Sequence, residues 1–125
     1  MILVDSSVWI AAWRGDRPAA SRLSSLIEDE QAAINILIRT ELLQGASSKR
    51  HQEQIKQLLS PVLVANLPAT LWDDAPILYL RCRENGLTLT TVECLVATHA
   101  LLTKSSLWRF DKVFLKIPGL KCLVP

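Results

Sequence analysis

The sequence predicts an α/β fold whose mostly parallel sheet is covered by helices on both faces, and two observations carry that prediction. Short apolar runs alternate with stretches of helical spacing along the whole chain. No repeat, low-complexity stretch or Gly/Ser linker interrupts the pattern, so the 125 residues suit one domain spanning 1–125.

Ile2-Leu3-Val4 reads as a first strand ended by Asp5, and Val8, Trp9, Ala12 and Trp13 then recur as a helix over 6–13. Asp16 and Pro18 open a second helix that lasts to Glu28. Ala32 to Ile36 is a second apolar run, followed by a helix from Leu37 to the stop at Gly45 that contains Glu41. Residues 49–59 form a polar helix with Ile55, Leu58 and Leu59 on one face, and Val62-Leu63-Val64 is a third strand. Leu71, Ala75, Leu78 and Cys82 mark a helix that stops at Asn85-Gly86. Pro76 either kinks it or stands in the first turn of a shorter helix capped by Asp74, and the second reading is preferred. Thr91 to Leu102 is apolar nearly all round, as a helix buried on several sides is. Ser106 to Phe110 is read as a strand, Lys112 to Ile117 as a short helix and Leu120 to Leu123 as an edge strand bounded by Pro125.

Half the residues are hydrophobic and 21% are charged, which leaves apolar surface for a partner. Fourteen basic against twelve acidic residues give a net charge of +2, too small to mark a nucleic-acid binder by itself. No apolar run reaches the roughly 18 to 20 residues of a membrane helix. Cys82, Cys94 and Cys122 are odd in number and lack ligand spacing, so they read as reduced thiols, and a cytoplasmic location is expected.

The chemistry concentrates in four carboxylates. Asp5 and Asp111 directly follow predicted strands, which places both at the carboxyl edge of the sheet, where ligands of such folds bind. Glu93 stands at a helix start and Glu41 inside a helix. Each acid also has a plainer role. Asp5 and Asp111 suit helix caps, Glu41 suits a solvated helix face, and Thr90-Thr91-Val92-Glu93 matches the capping box. Gathered on one edge, four carboxylates repel unless protonated or bridged by a cation. With oxygen donors and no His or Cys cluster, that cation is Mg²⁺ or Mn²⁺, which suits phosphodiester hydrolysis.

The arrangement resembles the PIN-domain family, and within it the VapC-type toxins of toxin-antitoxin pairs. The resemblance covers nearly the whole chain and rests on Ile2 to Ile10, on Thr40-Glu41-Leu42 with Gly45, on Thr91 to Ala100, and on Phe110-Asp111-Lys112-Val113-Phe114. It implies a three-layer α/β/α fold and catalytic positions at Asp5, Glu41, Glu93 and Asp111. Asp5, Glu93 and Asp111 would be the metal ligands, with Ser6 assisting. It further implies an endoribonuclease toxin, restrained by a VapB-like antitoxin and assembled as a homodimer. Two departures support an alternative, a catalytically weak or inactive PIN-like RNA-binding or interaction domain. The third acid is Glu93 where the family usually has Asp, and Val113 and Trp108 replace polar groups of the closing motif.

Among the basic residues beside these segments, Arg39, Arg109 and Lys112, together with Ser6, are the expected RNA contacts. Trp9 and Trp72 are expected in the core, and Trp13 and Trp108 at an interface. The surface around the early helices is the expected antitoxin face. His51 and His99 carry no ligand spacing, and no Gly-rich phosphate loop is present.

Overall fold

The structure is a computed structural model that describes residues 1–123. In chain order it contains β1 (Ile2–Val4), α1 (Ser6–Trp13), α2 (Arg17–Glu28), β2 (Ala32–Ile34), α3 (Ile36–Gln44), α4 (Lys49–Leu59) and β3 (Leu63–Val64). There follow α5 (Leu71–Glu84), α6 (Thr91–Thr103), β4 (Ser106–Trp108), a 3₁₀ turn (Lys112–Lys116) and β5 (Lys121–Leu123). The five strands are all parallel in the order β3-β2-β1-β4-β5, and the architecture is the expected three-layer α/β/α sandwich.

The central strand explains the layering. Leu3 and Val4 of β1, Ala33 and Ile34 of β2 and Leu107 and Trp108 of β4 are wholly buried, as strands covered on both faces must be. Polar side chains start the helices. Asp16 Oδ1 accepts from the Ala19 amide at 3.0 Å and opens α2 ahead of Pro18. Trp9 is 2% exposed and donates its indole N–H to the Val4 carbonyl at 3.0 Å, which clamps α1 onto the end of β1.

Several expected boundaries shift. The second strand stops at Ile34, two residues early, because Asn35 turns its side chain to the Ile38 amide and starts α3 at Ile36, one residue early. The strand expected through Phe110 ends at Trp108, and the short helix after it is 3₁₀. The preferred reading at Pro76 is overturned, because α5 begins at Leu71 and runs through the proline. Burial decides this: Leu71, Ala75, Leu78 and Cys82 form one buried stripe, and starting later would expose Leu71. The hydrogen bond that Pro76 cannot make is the one to the Trp72 carbonyl, beside a side chain 56% exposed, where solvent can replace it. The Pro125 boundary lies outside the described residues.

Two tryptophans exchange places relative to expectation. Trp108 is fully buried on β4 while Trp72 is exposed on α5. Trp9 is buried as expected, and Trp13 is 37% exposed. The three cysteines are free thiols, Cys82 and Cys94 buried and Cys122 partly so. No helix among the described residues is long and apolar enough to cross a membrane.

Candidate functional site

The strand order reverses between β1 and β4, and the crevice beyond their carboxyl ends is where a doubly wound sheet binds ligands. Register fixes what stands there. Val4 pairs with Trp108, so the residues that follow, Asp5 and Arg109, leave adjacent strands side by side, and the Asp5 amide bonds to the Trp108 carbonyl at 3.0 Å. Helices α3 and α6 bring Glu41 and Glu93 to the same place. A cleft of about 380 Å³ is lined by Asp5, Ser6, Glu41, Thr90, Glu93 and Arg109, among others. A larger cleft, about 500 Å³, lies between α5, α6 and the chain after the 3₁₀ turn, but no carboxylate lines it.

Three of the four expected acids therefore share one cleft, and the capping roles of Asp5 and Glu93 are realised as well, while Glu41 lies in the cleft and not on a solvated helix face. Asp5 is 3% exposed; its Oδ2 caps α1 through the Ser7 amide at 3.2 Å and accepts from the Ser7 hydroxyl at 2.9 Å. Glu93 Oε1 accepts from the Thr90 amide at 2.8 Å while Thr90 Oγ1 accepts from the Glu93 amide, which completes the capping box. Asp111 is outside the cleft lining, at its rim. Its side chain is 44% exposed and Oδ1 caps the 3₁₀ turn through the Val113 amide. Glu41 Oε1 accepts from the Ser6 hydroxyl at 3.3 Å. Burial pushes the Glu41 pKa up, and the Asp5 charge raises it further, only partly offset by Ser6 and Arg109.

Arg109 is the residue whose placement the sequence did not foretell. Its guanidinium turns inward, with Nη2 donating to Glu93 Oε2 at 2.6 Å and Nη1 to Asp5 Oδ2 at 3.3 Å. Nη2 also lies 3.9 Å from Asp111 Oδ2. The ring of buried Phe114 lies under it, 4.3 Å from Cζ to the centroid. Of the other expected RNA contacts, Ser6 lines the cleft, Arg39 is half-buried on α3 and Lys112 is exposed at the start of the 3₁₀ turn.

This arrangement does not suit Mg²⁺ or Mn²⁺. Mg²⁺ needs carboxylate oxygens turned to a common point about 2.0–2.1 Å away. Here Asp5 Oδ2 faces the Ser7 amide, the Ser7 hydroxyl and Arg109, Glu93 turns one oxygen to the Thr90 amide and the other to Arg109, and Glu41 Oε1 faces the Ser6 hydroxyl. Among the described residues, no three His, Cys, Asp or Glu side chains stand close enough to hold an ion.

The PIN-domain model matches residues 2–120. This chain belongs to the PIN-domain family, in its VapC-like branch. It is 34% identical over 113 residues to Ribonuclease VapC32 of Mycobacterium tuberculosis, covering 90% of this chain and 86% of the relative. Its fold matches VapBC2 from Rickettsia felis, solved bound to a DNA fragment from its promoter, with a TM-score of 0.86 and 22% identity over 100% of this chain and 99% of that one. A toxin-antitoxin complex from Klebsiella pneumoniae matches with a TM-score of 0.81 and 21% identity, covering 100% and 98% of the two chains. Within this PIN-domain chain, Asp5 and Arg109 pair at 3.3 Å across the β1–β4 reversal.

Proposed function

We propose that this PIN-domain chain is the toxin-type member of a pair with a small antitoxin. In this reading it binds RNA at the Asp5–Glu41–Glu93 cleft and cleaves it weakly or not at all while Arg109 is seated. The observation that carries the reading is the ion pairing of Arg109 with Asp5 and Glu93, which places a cation on Asp5 Oδ2 and Glu93 Oε2, two of the oxygens for which a catalytic ion would compete. The resemblance to solved VapBC and toxin-antitoxin complexes supports the antitoxin partner. The early helices, with exposed Trp13 on α1, are the face proposed for it, and the apolar side chains Trp72, Ile77 and Leu80 on α5 are the face proposed for a homodimer. Arg39 and Lys112 supply phosphate contacts beside the cleft.

A second reading is a Mg²⁺- or Mn²⁺-dependent endoribonuclease with Asp5, Glu41, Glu93 and Asp111 as its acids. It is favoured by the sharing of one cleft by Asp5, Glu41 and Glu93 with the Ser6 hydroxyl and by likeness to a protein named as a ribonuclease.

Gel-shift and cleavage assays of the purified chain on labelled RNA, in chelator and with Mn²⁺, separate the two. The first reading expects a shifted, intact RNA in chelator and little cleavage with Mn²⁺. Rapid cleavage at micromolar Mn²⁺ would decide for the second, and no shift in either condition would remove RNA from the proposal. Co-purification with the product of a short neighbouring reading frame tests the antitoxin.

A further inference from the structure

We propose that Arg109 is the resident cation of the acidic cleft, a tethered guanidinium that excludes divalent ions until it is displaced. The inference rests on the function proposed above for this cleft and adds what controls it.

Three features distinguish Arg109 from an ordinary surface ion pair. Its side chain is only 16% exposed, and its guanidinium is held between the acids on one side and the Phe114 ring on the other. It makes its shortest contact, 2.6 Å, with Glu93, the same residue whose other oxygen is committed to the capping box. Its Nε is buried without a partner, so the orientation of the head follows the carboxylates and leaves the rest of the side chain unsatisfied.

The competition this creates is direct. Glu93 has two oxygens; one caps α6 and the other holds Arg109, so an ion must share or displace one of these contacts while the arginine stays. Asp5 Oδ2 is likewise shared between the α1 cap and Arg109. A divalent ion and a guanidinium seek the same oxygens, and the ion's apparent affinity is its intrinsic affinity multiplied by the fraction of molecules in which the arginine has left. Removing the arginine leaves the acids facing each other with no internal counter-charge, the condition under which a hard divalent ion binds best. A guanidinium spans two carboxylates as a planar fork, which a lysine ammonium cannot do. The identity of the residue therefore matters as well as its charge.

The test is Mn²⁺ binding to the full chain, by calorimetry and by the electron paramagnetic resonance signal of free Mn²⁺. Arg109→Ser is expected to bind Mn²⁺ at least about tenfold more tightly than the parent, with Arg109→Lys between them. Guanidinium ion added to Arg109→Ser, well below denaturing concentrations, is expected to weaken that binding again, whereas in the parent it changes little. Equal affinity in parent and Arg109→Ser overturns the proposal, and so does an affinity of Arg109→Ser that added guanidinium leaves unchanged. If Arg109→Ser does not fold, Arg109→Gln, which keeps an amide donor without the charge, must show the same gain. RNA gel shifts in chelator read the proposed function separately. A parent that shifts RNA beside a variant that gains no Mn²⁺ sinks this inference alone, and a variant that gains Mn²⁺ where neither protein shifts RNA sinks only the RNA reading.

Discussion

Asn35 donates its side-chain amide to Nδ1 of His99 at 2.9 Å, and both residues are wholly buried. Asn35 Oδ1 already accepts from the Ile38 amide, so its NH₂ group must face the histidine. His99 Nδ1 is then the acceptor, and the proton of the neutral ring lies on Nε2. The bond ties the start of α3 to the middle of α6, the helices that carry Glu41 and Glu93. Asn35→Ala removes a helix cap and strands a buried ring nitrogen, for an expected loss of about 2–4 kcal/mol. Urea denaturation measures it, and a loss below about 0.5 kcal/mol would show that the link is dispensable.

The same histidine sets an acid limit on stability. Burial pushes the His99 pKa below its ordinary 6.5, so the unfolded chain takes up this proton before the folded one does. A depressed histidine contributes no pH dependence above the unfolded value and a growing penalty below it. Stability is expected to be level above pH 6.5 and to decline from there toward pH 5. His99→Gln, which keeps an acceptor for Asn35, should flatten that decline in melts taken across the range. A slope unchanged by the substitution would assign it to other groups.

Much of this architecture was legible locally. Ile2-Leu3-Val4, the Asp16 cap and the Thr90–Glu93 capping box each announce an element through neighbours a few residues apart, and each is found where expected. The rule that parallel strands deliver their following residues to one edge places Asp5 in the cleft, and Glu93 is expected there as a helix-start residue, whereas Glu41, inside a helix, is singled out by the family resemblance. Asp111 fell short because its side chain caps the turn it begins. Arg109 was legible as a basic residue near the acids but not as their partner. That contact joins positions 104 residues apart, and it follows from the Val4–Trp108 register, which no local pattern specifies. The exchange of Trp72 and Trp108 has the same origin, since burial depends on which layer covers the residue.

Glu41 opposes folding when charged. Its pKa is raised by burial and then by Asp5, so the folded chain holds the proton more tightly than the unfolded one, and stability is lost as pH rises through the folded value. Glu41→Gln should therefore raise the melting temperature at pH 7. The gain is expected to stay under about 1 kcal/mol because the group is partly exposed and screened by solvent. It should vanish as the pH approaches 4.5, where the parent glutamate is itself becoming neutral. Paired thermal melts at pH 7 and pH 4.5 test both the sign and the disappearance. A lower melting point for the variant at pH 7 would contradict the electrostatic account.

Asp5 separates a structural role from a chemical one. Asparagine caps helices about as well as aspartate, so Asp5→Asn should keep α1 in place and change stability by less than about 1 kcal/mol. Asp5→Ala removes the cap as well and should cost about 1 kcal/mol more. Both variants remove the charge beside Arg109 Nη1, and Glu93 then becomes the main anchor of the guanidinium. Any Mn²⁺-dependent RNA cleavage by the parent should be lost in Asp5→Asn at unchanged circular dichroism, because the carboxylate at the β1–β4 reversal supplies charge that an amide cannot. Cleavage by folded Asp5→Asn at the parent's rate would place nuclease chemistry outside this cleft.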